Sequence, residues 1–482
     1  LGKMRLTGRT DASANGLTID ARLQLAEVTA KISGNVSGLP ASPALDIAVD
    51  AQHPELARLA NLFADGRPGP AIGRGGLKVT LKGDDRAVAL NVDAGVAGGT
   101  FRLGGTIGTP LEIPKLDIGA DIDHPDLVRL VRVFAPGFKP ANSRLGGLKL
   151  AVRLVGAQDD LAITGLTGRI GPTGISGQGT YRAAGEGEAR PNVKLSLLSS
   201  TIPLSDFLEA PPRAGRPQGS PPDREGSGTP TGVRTVPAAE GQRWSAAPID
   251  TAMLDLFDAT IDLRAEAVLY QSFRIDQPKI AAVLKDRVLD VQRFAGSMFD
   301  GGFEMRGKID GRDVPVATTS LKVTKANVGK ALFQAAAFDI ATGVLSFEMD
   351  LTARGTSQRD MIGTLAGGGK IDVTDGVVKG FDLKRASENL KNINQLAGLL
   401  GVLSAAMEGG ETKFSSLNGT FEITKGIAIT NDLRLVADAG AGDARGFVDL
   451  PKWNMDMYAF PRPPSPMTDS LPGLRRWLKS GC

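Results

Sequence analysis

The sequence predicts a mainly β protein in which short helices interrupt an antiparallel sheet in repeated units. Three observations predict this fold class: apolar and polar residues alternate over many short segments, glycine is abundant with 61 residues, and one strand–helix–strand pattern recurs at a constant spacing. Alternation with a period of two gives a strand one apolar and one polar face. Because Phe, Trp and Tyr make up only 5 % of the residues, Val, Ile, Leu and Ala must fill any core.

Composition excludes several classes of protein. The chain of 482 residues is long enough for two to four domains, and its net charge of +3 predicts no nucleic-acid partner. Cys482 is the only cysteine, so a disulfide framework and a thiolate zinc site are excluded within the chain. No stretch approaches the roughly 18 apolar residues of a spanning helix. Because residue 1 is Leu1, we expect that a signal or membrane anchor preceding it has been lost.

The chain divides into four predicted parts. Residues 209–243 hold many Pro, Gly and Ser and no aromatic residue, and such a composition buries too little apolar surface to offset its ordering entropy. We therefore predict a repeated strand–helix–meander region over 1–208, a disordered linker over 209–247, a second β-domain over 248–465 and a C-terminal tail over 466–482. The linker is expected to be the site of proteolysis.

An internal repeat organises the first part. "LDIAVDAQHPELARLANLF" (45–63) aligns with "LDIGADIDHPDLVRLVRVF" (116–134) without gaps, and "GGLKV" and "GGLKL" are separated by the same 71 residues. A weaker third copy begins at "KLSLLSSTIPLSDFL" (194–208). Each copy predicts a strand followed by a short helix, with Pro54 and Pro125 at the first helical position.

The two histidines of the chain, His53 and His124, occupy equivalent positions in this repeat. A shared metal site would need three or four ligands, and stacked repeats would hold the two residues apart. We therefore interpret both histidines as N-cap-like residues of the two helices and predict no metal site. The alternative of a metal or catalytic pair is the weaker interpretation.

Other segments predict strands, turns and one long helix. "LKVTLKG" alternates Leu77, Val79 and Leu81 with polar residues, and the pair Asp375–Gly376 predicts a hairpin turn. Residues 383–407 predict the longest helix. The acidic pairs at 84–85 and 159–160 are expected at hairpin tips.

Two short motifs resemble catalytic signatures and fail on spacing. "GTLAGGGK" (363–370) has Thr364 where a P-loop requires Gly and Ile371 where it requires Ser or Thr. "GISGQG" (174–179) has Gln178 at the fifth position of G-x-S-x-G. We predict no catalytic residues, no cofactor and no enzymatic activity.

The second part resembles the C-terminal region of the AsmA family of bacterial envelope proteins, over roughly residues 250–465. Three stretches carry the resemblance in order: "FDGGFEMRGKIDGRDVPVATTSLKVTKANVGKAL" (299–332), "LTARGTSQRDMIGTLAGGGKIDVTDGVVKGFDL" (351–383) and "ETKFSSLNGTFEITKGIAITNDLRLVADAGAGDARGFVDL" (411–450). The ordered set is specific, whereas each stretch alone is weak. The first part resembles the family only in its alternation of strands, turns and short helices.

The resemblance implies a fold, a location and a role. It implies an elongated, curled antiparallel sheet that forms an apolar groove, similar to that of TamB-like and bridge-like lipid transfer proteins. It also implies a protein on the periplasmic side of the bacterial inner membrane, held there by an N-terminal anchor, that takes part in outer-membrane biogenesis by binding or conducting phospholipid. The expected partners are phospholipid acyl chains, the membrane and other envelope proteins. A structural or assembly factor for outer-membrane proteins, with no lipid cargo and a filled core, is the alternative.

Candidate groove residues follow from the alternation of strand residues. We predict that "TFEITKGIAITNDLRLVADAG" makes three strands joined by turns at Lys425–Gly426 and Asn431–Asp432, with all large apolar residues on one side. The predicted groove residues are Leu77, Val79, Leu81, Ile371, Val373, Phe421, Ile423, Ile427, Ile429, Leu433 and Leu435.

Overall fold

The structure, a computed structural model, is mainly β and confirms the predicted fold class. It describes residues 5–13, 16–25, 27–38, 43–56, 73–110, 113–134, 138, 140–185, 190–208, 244–249, 251–336, 339, 341–380, 410–438 and 440–462. The predicted linker segment 209–243, the predicted helix 383–407 and the predicted tail 466–482 lie outside these residues. The predicted division into domains therefore stays a prediction.

The chain forms two compact units. Unit 1 contains Leu1–Glu209, Leu254–Tyr270 and Gln277–Asp286, and unit 2 contains Ala210–Met253, Gln271–Asp276 and Arg287–Cys482. In each unit the strands form a curled sheet, and no pairing of described strands closes it into a barrel.

Unit 1 is a meander whose consecutive strands β1 to β12 pair antiparallel. Two short helices follow strands β8 and β13. The strands are β1 Arg5–Ser13, β2 Gly16–Leu25, β3 Val28–Ser37, β4 Ala44–His53, β5 Gly75–Asp84, β6 Ala87–Val96, β7 Gly99–Gly108, β8 Lys115–His124, β9 Leu148–Ala157, β10 Asp160–Ile170, β11 Thr173–Arg182, β12 Asn192–Ser199, β13 Ile202–Pro203, β14 Asp258–Ala265, β15 Ala267–Tyr270 and β16 Phe273–Lys285, and the helices are α1 Leu127–Phe134 and α2 Leu204–Phe207. A 3-10 helix spans Ala252–Asp255, and β16 includes residues of both units.

Unit 2 continues the same pattern with longer strands and two further helices. Its consecutive strands β17 to β25 pair antiparallel. The elements are β17 Val288–Met298, β18 Gly301–Asp310, β19 Val316–Asn327, α3 Val328–Ala336, β20 Ala341–Arg354, α4 Gln358–Thr364, β21 Ala366–Lys379, β22 Glu411–Thr424, β23 Ile427–Ala437, β24 Gly440–Asp449 and β25 Asn454–Arg462.

The sheet is mixed where a wholly antiparallel one was predicted. β12 pairs parallel with β14, and β13 pairs parallel with β15. The predicted linker lies between these strands in the sequence, and a crossover of that length permits parallel pairing, whereas a tight turn enforces antiparallel pairing. Arg190 supports this junction, because its guanidinium lies 3.4 Å from Asp255 and 3.7 Å from both Asp258 and Asp286.

The repeat of 71 residues is a structural repeat. Strands β4 and β8 begin and end at equivalent positions, since Ala44 corresponds to Lys115 and His53 to His124. The register of the following strand differs by two residues, because His53 pairs with Gly75 whereas His124 pairs with Leu148. A slip of two residues leaves every side chain on the same face, so both copies keep the same apolar side. The third copy follows the pattern too, with α2 after β12 and β13.

Register shifts are concentrated in unit 2, and in unit 1 they occur where β10 pairs with β9 and with β11. From β3 to β9 the strand pairs of unit 1 keep one uninterrupted register. In unit 2, bulges interrupt five of the eight strand pairs: β17–β18, β19–β20, β20–β21, β22–β23 and β23–β24. Each bulge bends its strand and increases the local twist. One of these bulges lies at Asp375–Gly376, where a hairpin turn was predicted, so that prediction was wrong. Strand β21 runs through this pair, with Asp375 in the left-handed region at a φ of 51°.

Candidate functional site

Three rows of apolar side chains cross one face of the sheet in unit 1, from β3 to β9. Because the register is uninterrupted, residues paired across the strands share a face and stand in line. The middle row is Ile32, Val49, Val79, Val92, Leu103, Ala120 and Val152, and the flanking rows are Ala30, Ala51, Leu77, Ala94, Phe101, Ile122, Leu150 and Gly34, Ile47, Leu81, Leu90, Gly105, Ile118, Leu154. We call this surface the inner face of unit 1. The predicted residues Leu77, Val79 and Leu81 all lie on it, one in each row.

The opposite, outer face of unit 1 carries the charge. One row of paired residues alternates in sign over six strands: Lys31, Asp50, Lys78, Asp93, Arg102 and Asp121. Opposite charges facing each other across strands stabilise the pairing. The strongest contact of this face joins Arg153 to Asp117 at 2.6 Å, and the hydrogen bond from Arg153 holds the pKa of Asp117 below its ordinary value. The charged residues of these strands thus lie on the outer face, and none of the residues in the three inner rows carries a charge.

Among the described residues, cover on the inner face of unit 1 is concentrated on the row nearest helix α1. Helix α1 packs Leu127, Val128 and Leu130 against Leu145 and Leu148. This buried cluster reaches Phe101, Ile122 and Leu150 of the row nearest the helix. No buried cluster of described residues extends over the middle row, and Leu77 and Leu103 are 39 % and 37 % exposed. A sheet whose apolar face is incompletely covered has room for another apolar body.

The histidines are structural parts of the strand-to-helix junctions. His53 and His124 are buried, and each Nδ1 accepts a hydrogen bond of 3.1 Å from the backbone N–H two residues later, at Glu55 and Asp126. The predicted cap position was wrong by two residues, since the N-cap of α1 is Asp126, whose carboxylate accepts the N–H of Arg129 at 3.0 Å. Asp126 takes this role because its short side chain sits next to the first free N–H groups of the helix. Within the described residues, no group of three His, Cys, Asp or Glu is placed to hold a metal ion.

In unit 2, aromatic side chains fill much of one face of the sheet from β17 to β20, the face of Phe303, Val323 and Phe347, which we call the inner face of unit 2. Phe303, Val323 and Ala326 form a buried cluster that Phe294, Met305 and Phe347 surround. The rings of Phe294 and Phe303 meet edge to face at 5.2 Å. From β17 to β20 this face is therefore a closed core rather than an open surface.

The predicted residues of β21 and β22 lie on the inner face of unit 2 in different surroundings. Val373 is buried against Val328 of α3, and the same cluster contains Ile371 and Leu435. Phe421 lies across Gly369 and stacks on Phe347, with ring centroids 5.9 Å apart. A Cβ on Gly369 would collide with this ring, so the glycine is required there. Ile423, near the end of β22, is 7 % exposed, and Leu433 pairs with Ala444 on the same face.

Two predicted groove residues, Ile427 and Ile429, lie on the outer face, so their predicted orientation was wrong. Ile429 pairs with Glu422 and with Phe447 and is 46 % exposed, whereas its neighbour Ala428 pairs with Ile423 and Val448 on the inner face. A β-bulge causes the difference, because the register shifts by one residue between Thr430 and Leu433. A shift of one residue moves every side chain beyond it to the opposite face.

The predicted turn at Asn431–Asp432 was wrong, because the structure has this bulge at that position. β23 is therefore a single strand where two strands were predicted. The carboxylate of Asp432 accepts hydrogen bonds from the backbone N–H and the hydroxyl of Thr420, both at 2.8 Å. These bonds hold the pKa of Asp432 below its ordinary value and tie the bulge to the neighbouring strand. The predicted turn at Lys425–Gly426 is confirmed, with positive φ at both residues.

Among the described residues, the inner face of β23 to β25 is an uncharged and partly exposed surface of unit 2. Ala428, Val448 and Met455 form one row, and Thr430, Gly446 and Met457 form the next. Met455 and Met457 are 67 % and 38 % exposed. Flexible thioether side chains adapt to apolar ligands of varied shape.

Charged residues of unit 2 form structural ladders on its outer face. Glu348 lies between Lys322 at 2.6 Å and Lys370 at 2.9 Å, and these hydrogen bonds hold the pKa of Glu348 below its ordinary value. Such exposed pairs stabilise strand pairing modestly. They contain no nucleophile next to a base, so the ladder offers no catalytic arrangement.

Sequence reasoning missed helices α3 and α4, although both carry capping signals. Ser357 accepts the N–H of Asp360 at 3.2 Å, and Ser-x-x-Asp is a recognisable start of a helix. Asn327 accepts the N–H of Lys330 at 2.9 Å and caps α3 in the same way. In the part of the chain that the structure describes, none of the helices is long and apolar enough to span a membrane.

Comparison with known proteins gives one family match. The model described as the AsmA family matches residues 138–433, which is more than half of the chain. The match begins within unit 1, before the region 250–465 whose motifs resemble the family, and ends within β23. No curated protein and no solved structure matches the chain.

Proposed function

The chain belongs to the AsmA family, and from this membership we propose that it binds or conducts phospholipid along the inner faces of its sheet. Membership associates the chain with the bacterial envelope and with outer-membrane biogenesis. We place its action on the periplasmic side of the inner membrane, where an N-terminal anchor would hold it. The role is non-enzymatic, since the family is not known for enzymatic activity.

One observation carries this proposal: the middle row of the inner face of unit 1 is apolar over seven strands and is only partly covered by the residues that the structure describes. Seven strands about 4.8 Å apart extend over about 29 Å. A single acyl chain occupies one leaflet, which is about 15 Å of a hydrocarbon core of about 30 Å. The row is therefore long enough for a whole acyl chain. Burying each CH₂ contributes about 0.8 kcal/mol, so a chain of ordinary length needs no polar anchor to bind.

The charges on the outer face of unit 1 also support the proposal. Its alternating charges keep the outer surface of unit 1 hydrated, so an apolar ligand is favoured only on the inner face. The inner face of β23 to β25, with Ala428, Val448 and the two methionines, offers a second apolar surface in unit 2.

Site-specific photo-crosslinking tests the proposal. A photoreactive phenylalanine analogue at Leu103, on the inner face of β7, is expected to form phospholipid adducts in cells, because this side chain of the middle row is 37 % exposed. The matched position is Thr106 on the outer face of the same strand, where no adduct is expected. The readout is the adduct mass. Equal labelling at the two positions would contradict the proposal.

A second candidate function is an assembly factor that acts by protein contacts alone. An apolar group on the outer face of unit 2 favours it: Ile429, Phe447, Tyr458 and Phe460 are each at least 37 % exposed. Exposed apolar groups of this kind are typical of protein-binding surfaces. This candidate predicts protein adducts at Phe447 and no phospholipid adduct at Leu103.

A further inference from the structure

Strand β25 is an edge of the sheet that the described residues of unit 2 form. Within these residues, it pairs with β24 alone. The carbonyl oxygens of Asp456 and Phe460 face β24, because a Cβ on Gly446 or on Gly442 would lie against them. Bonded and non-bonded residues alternate along an antiparallel pair, so the residues between point their backbone groups away from β24. The residues whose N–H and C=O groups point away from β24 are Met455, Met457 and Ala459.

The side chains of β25 expose apolar groups on both faces of the strand. Met455 and Met457 are exposed on the inner face, and Tyr458 and Phe460 are 57 % and 42 % exposed on the outer face. Edge strands of soluble proteins are usually protected from further pairing by charged residues, prolines or bulges. From 454 to 460, the sequence of β25 contains one charged residue and no proline. This edge is therefore suited to the addition of another strand.

Strand β1 of unit 1 is an edge of the protected kind. Among the described residues it pairs with β2 alone. Arg5, Arg9 and Asp11 are spaced so that they share one face of β1, and the guanidinium of Arg9 lies 3.2 Å from the carboxylate of Asp11. Charged side chains of this kind oppose the addition of a strand. The two strands therefore differ in the property that controls pairing at an edge.

We propose that β25 pairs antiparallel with β25 of a second copy of this chain, about a two-fold axis at Met457. In this register Met457 faces Met457 of the second copy, and Met455 faces Ala459. These are the residues whose backbone groups point away from β24, so the three residue pairs exchange about six hydrogen bonds. The pairing ends at Pro461, which has no N–H to donate. This inference does not rest on the proposed function.

The side chains of β25 are complementary to themselves in this register. On the outer face, Asp456 of one copy lies opposite Tyr458 of the other, whose hydroxyl is a hydrogen-bond donor and donates to Asp456 within the single chain at 3.0 Å. Phe460 lies opposite Asn454, and the residues that face each other on the inner side are uncharged. Pairs of this kind stabilise a strand ladder, and like charges do not face each other. Because a two-fold interface requires a self-complementary surface, this pattern favours a second copy over a different partner.

The proposed dimer also joins the inner faces of unit 2. A two-fold axis that relates two antiparallel strands of one sheet is perpendicular to that sheet, so the inner faces of both copies lie on the same side. Met455 and Met457 of both copies then form one uncharged surface that crosses from one copy to the other.

The mass of the full chain in solution tests the proposal. Size-exclusion chromatography with light scattering, without detergent, is expected to give twice the chain mass of 50.3 kDa. Met457→Pro removes the N–H groups at the axis and is expected to halve the observed mass, whereas Met457→Leu keeps them and is expected to remain dimeric. A monomeric unmodified chain, a series of larger oligomers or a dimeric Met457→Pro variant would overturn the proposal.

Disulfide formation between copies tests the register and does not depend on the folding of the proline variant. In a Cys482→Ser background, Met457→Cys is expected to give a disulfide-linked dimer under mild oxidation, because facing Cα atoms lie about 5.5 Å apart. Met455→Cys is the matched control. It lies on the same face and is more exposed, but its two copies are about 14 Å apart along the strands, so no link is expected. Equal yields from the two variants would show random collision or another register and would overturn the proposal.

Discussion

Replacing Ala428 by Asp is expected to reduce phospholipid loading more than tenfold, whereas replacing Ile429 by Asp is expected to leave it unchanged. Ala428 lies on the inner face between Ile423 and Val448, where a carboxylate would have no partner beneath a bound acyl chain. Leaving a charge unpaired in an apolar site costs several kcal/mol. Ile429 is 46 % exposed on the outer face, so a carboxylate there stays hydrated. Its neighbour Glu422 adds only a small repulsion across the strands.

The measurement is the amount of fluorescent phospholipid bound to each purified variant. Circular dichroism must show that both variants keep their strand content. The two residues are consecutive in one strand, so the two variants place the same charge on opposite faces of β23. Equal loading of the two folded variants would mean that the inner face of β23 is not the path of the lipid.

A second large effect concerns stability rather than binding. Phe303→Ala is expected to lower the free energy of unfolding by about 3–5 kcal/mol, because it empties the closed core of unit 2. In lipid-free protein, Leu103→Ala is expected to lower it by only about 1 kcal/mol, because the Leu103 side chain is 37 % exposed and few contacts are lost. Phe303 is 8 % exposed and meets Phe294 edge to face.

Denaturant titration of the unmodified chain and the two variants measures this difference. An unchanged slope of the unfolding transition shows that the variants expose the same surface on unfolding, so the shift in midpoint reports the change in stability. If Leu103→Ala cost as much as Phe303→Ala, the inner face of unit 1 would be a filled core, and the assembly-factor function would be favoured.

Alternation of apolar and polar residues predicted β5 and its two faces correctly. β5 places Leu77, Val79 and Leu81 on one face as predicted, because the register around this strand is uninterrupted. The repeat also predicted α1 from its apolar spacing. Which residue caps that helix could not be predicted, because His124 and Asp126 are both acceptors within two residues, and only the fold decides which N–H each one meets.

Bulges limited what the sequence could predict in unit 2. Asn431–Asp432 and Asp375–Gly376 are the residue types that make hairpin turns, and the same types also provide the unusual backbone conformations of bulges. At Asp432 the outcome depends on hydrogen bonds to Thr420 of the neighbouring strand, which the sequence around Asp432 does not contain. One such bulge was enough to reverse the predicted orientation of Ile427 and Ile429. The contacts of Trp244 and Ser245 were likewise not predictable, since their partners Leu450 and Gln358 are distant in the sequence.

Native mass spectrometry of the full chain, purified from bacterial membranes and extracts without detergent, tests the central claim most directly. An open inner face that binds acyl chains predicts protein species with one or more bound phospholipids, and gentle activation in the gas phase should release them as intact lipid ions. Two results together would contradict the claim. The protein would be found only at its own mass, and hydrogen-exchange and labelling experiments on the same sample would show Leu103 and Met455 protected from solvent. It would show that the protein covers its own inner face.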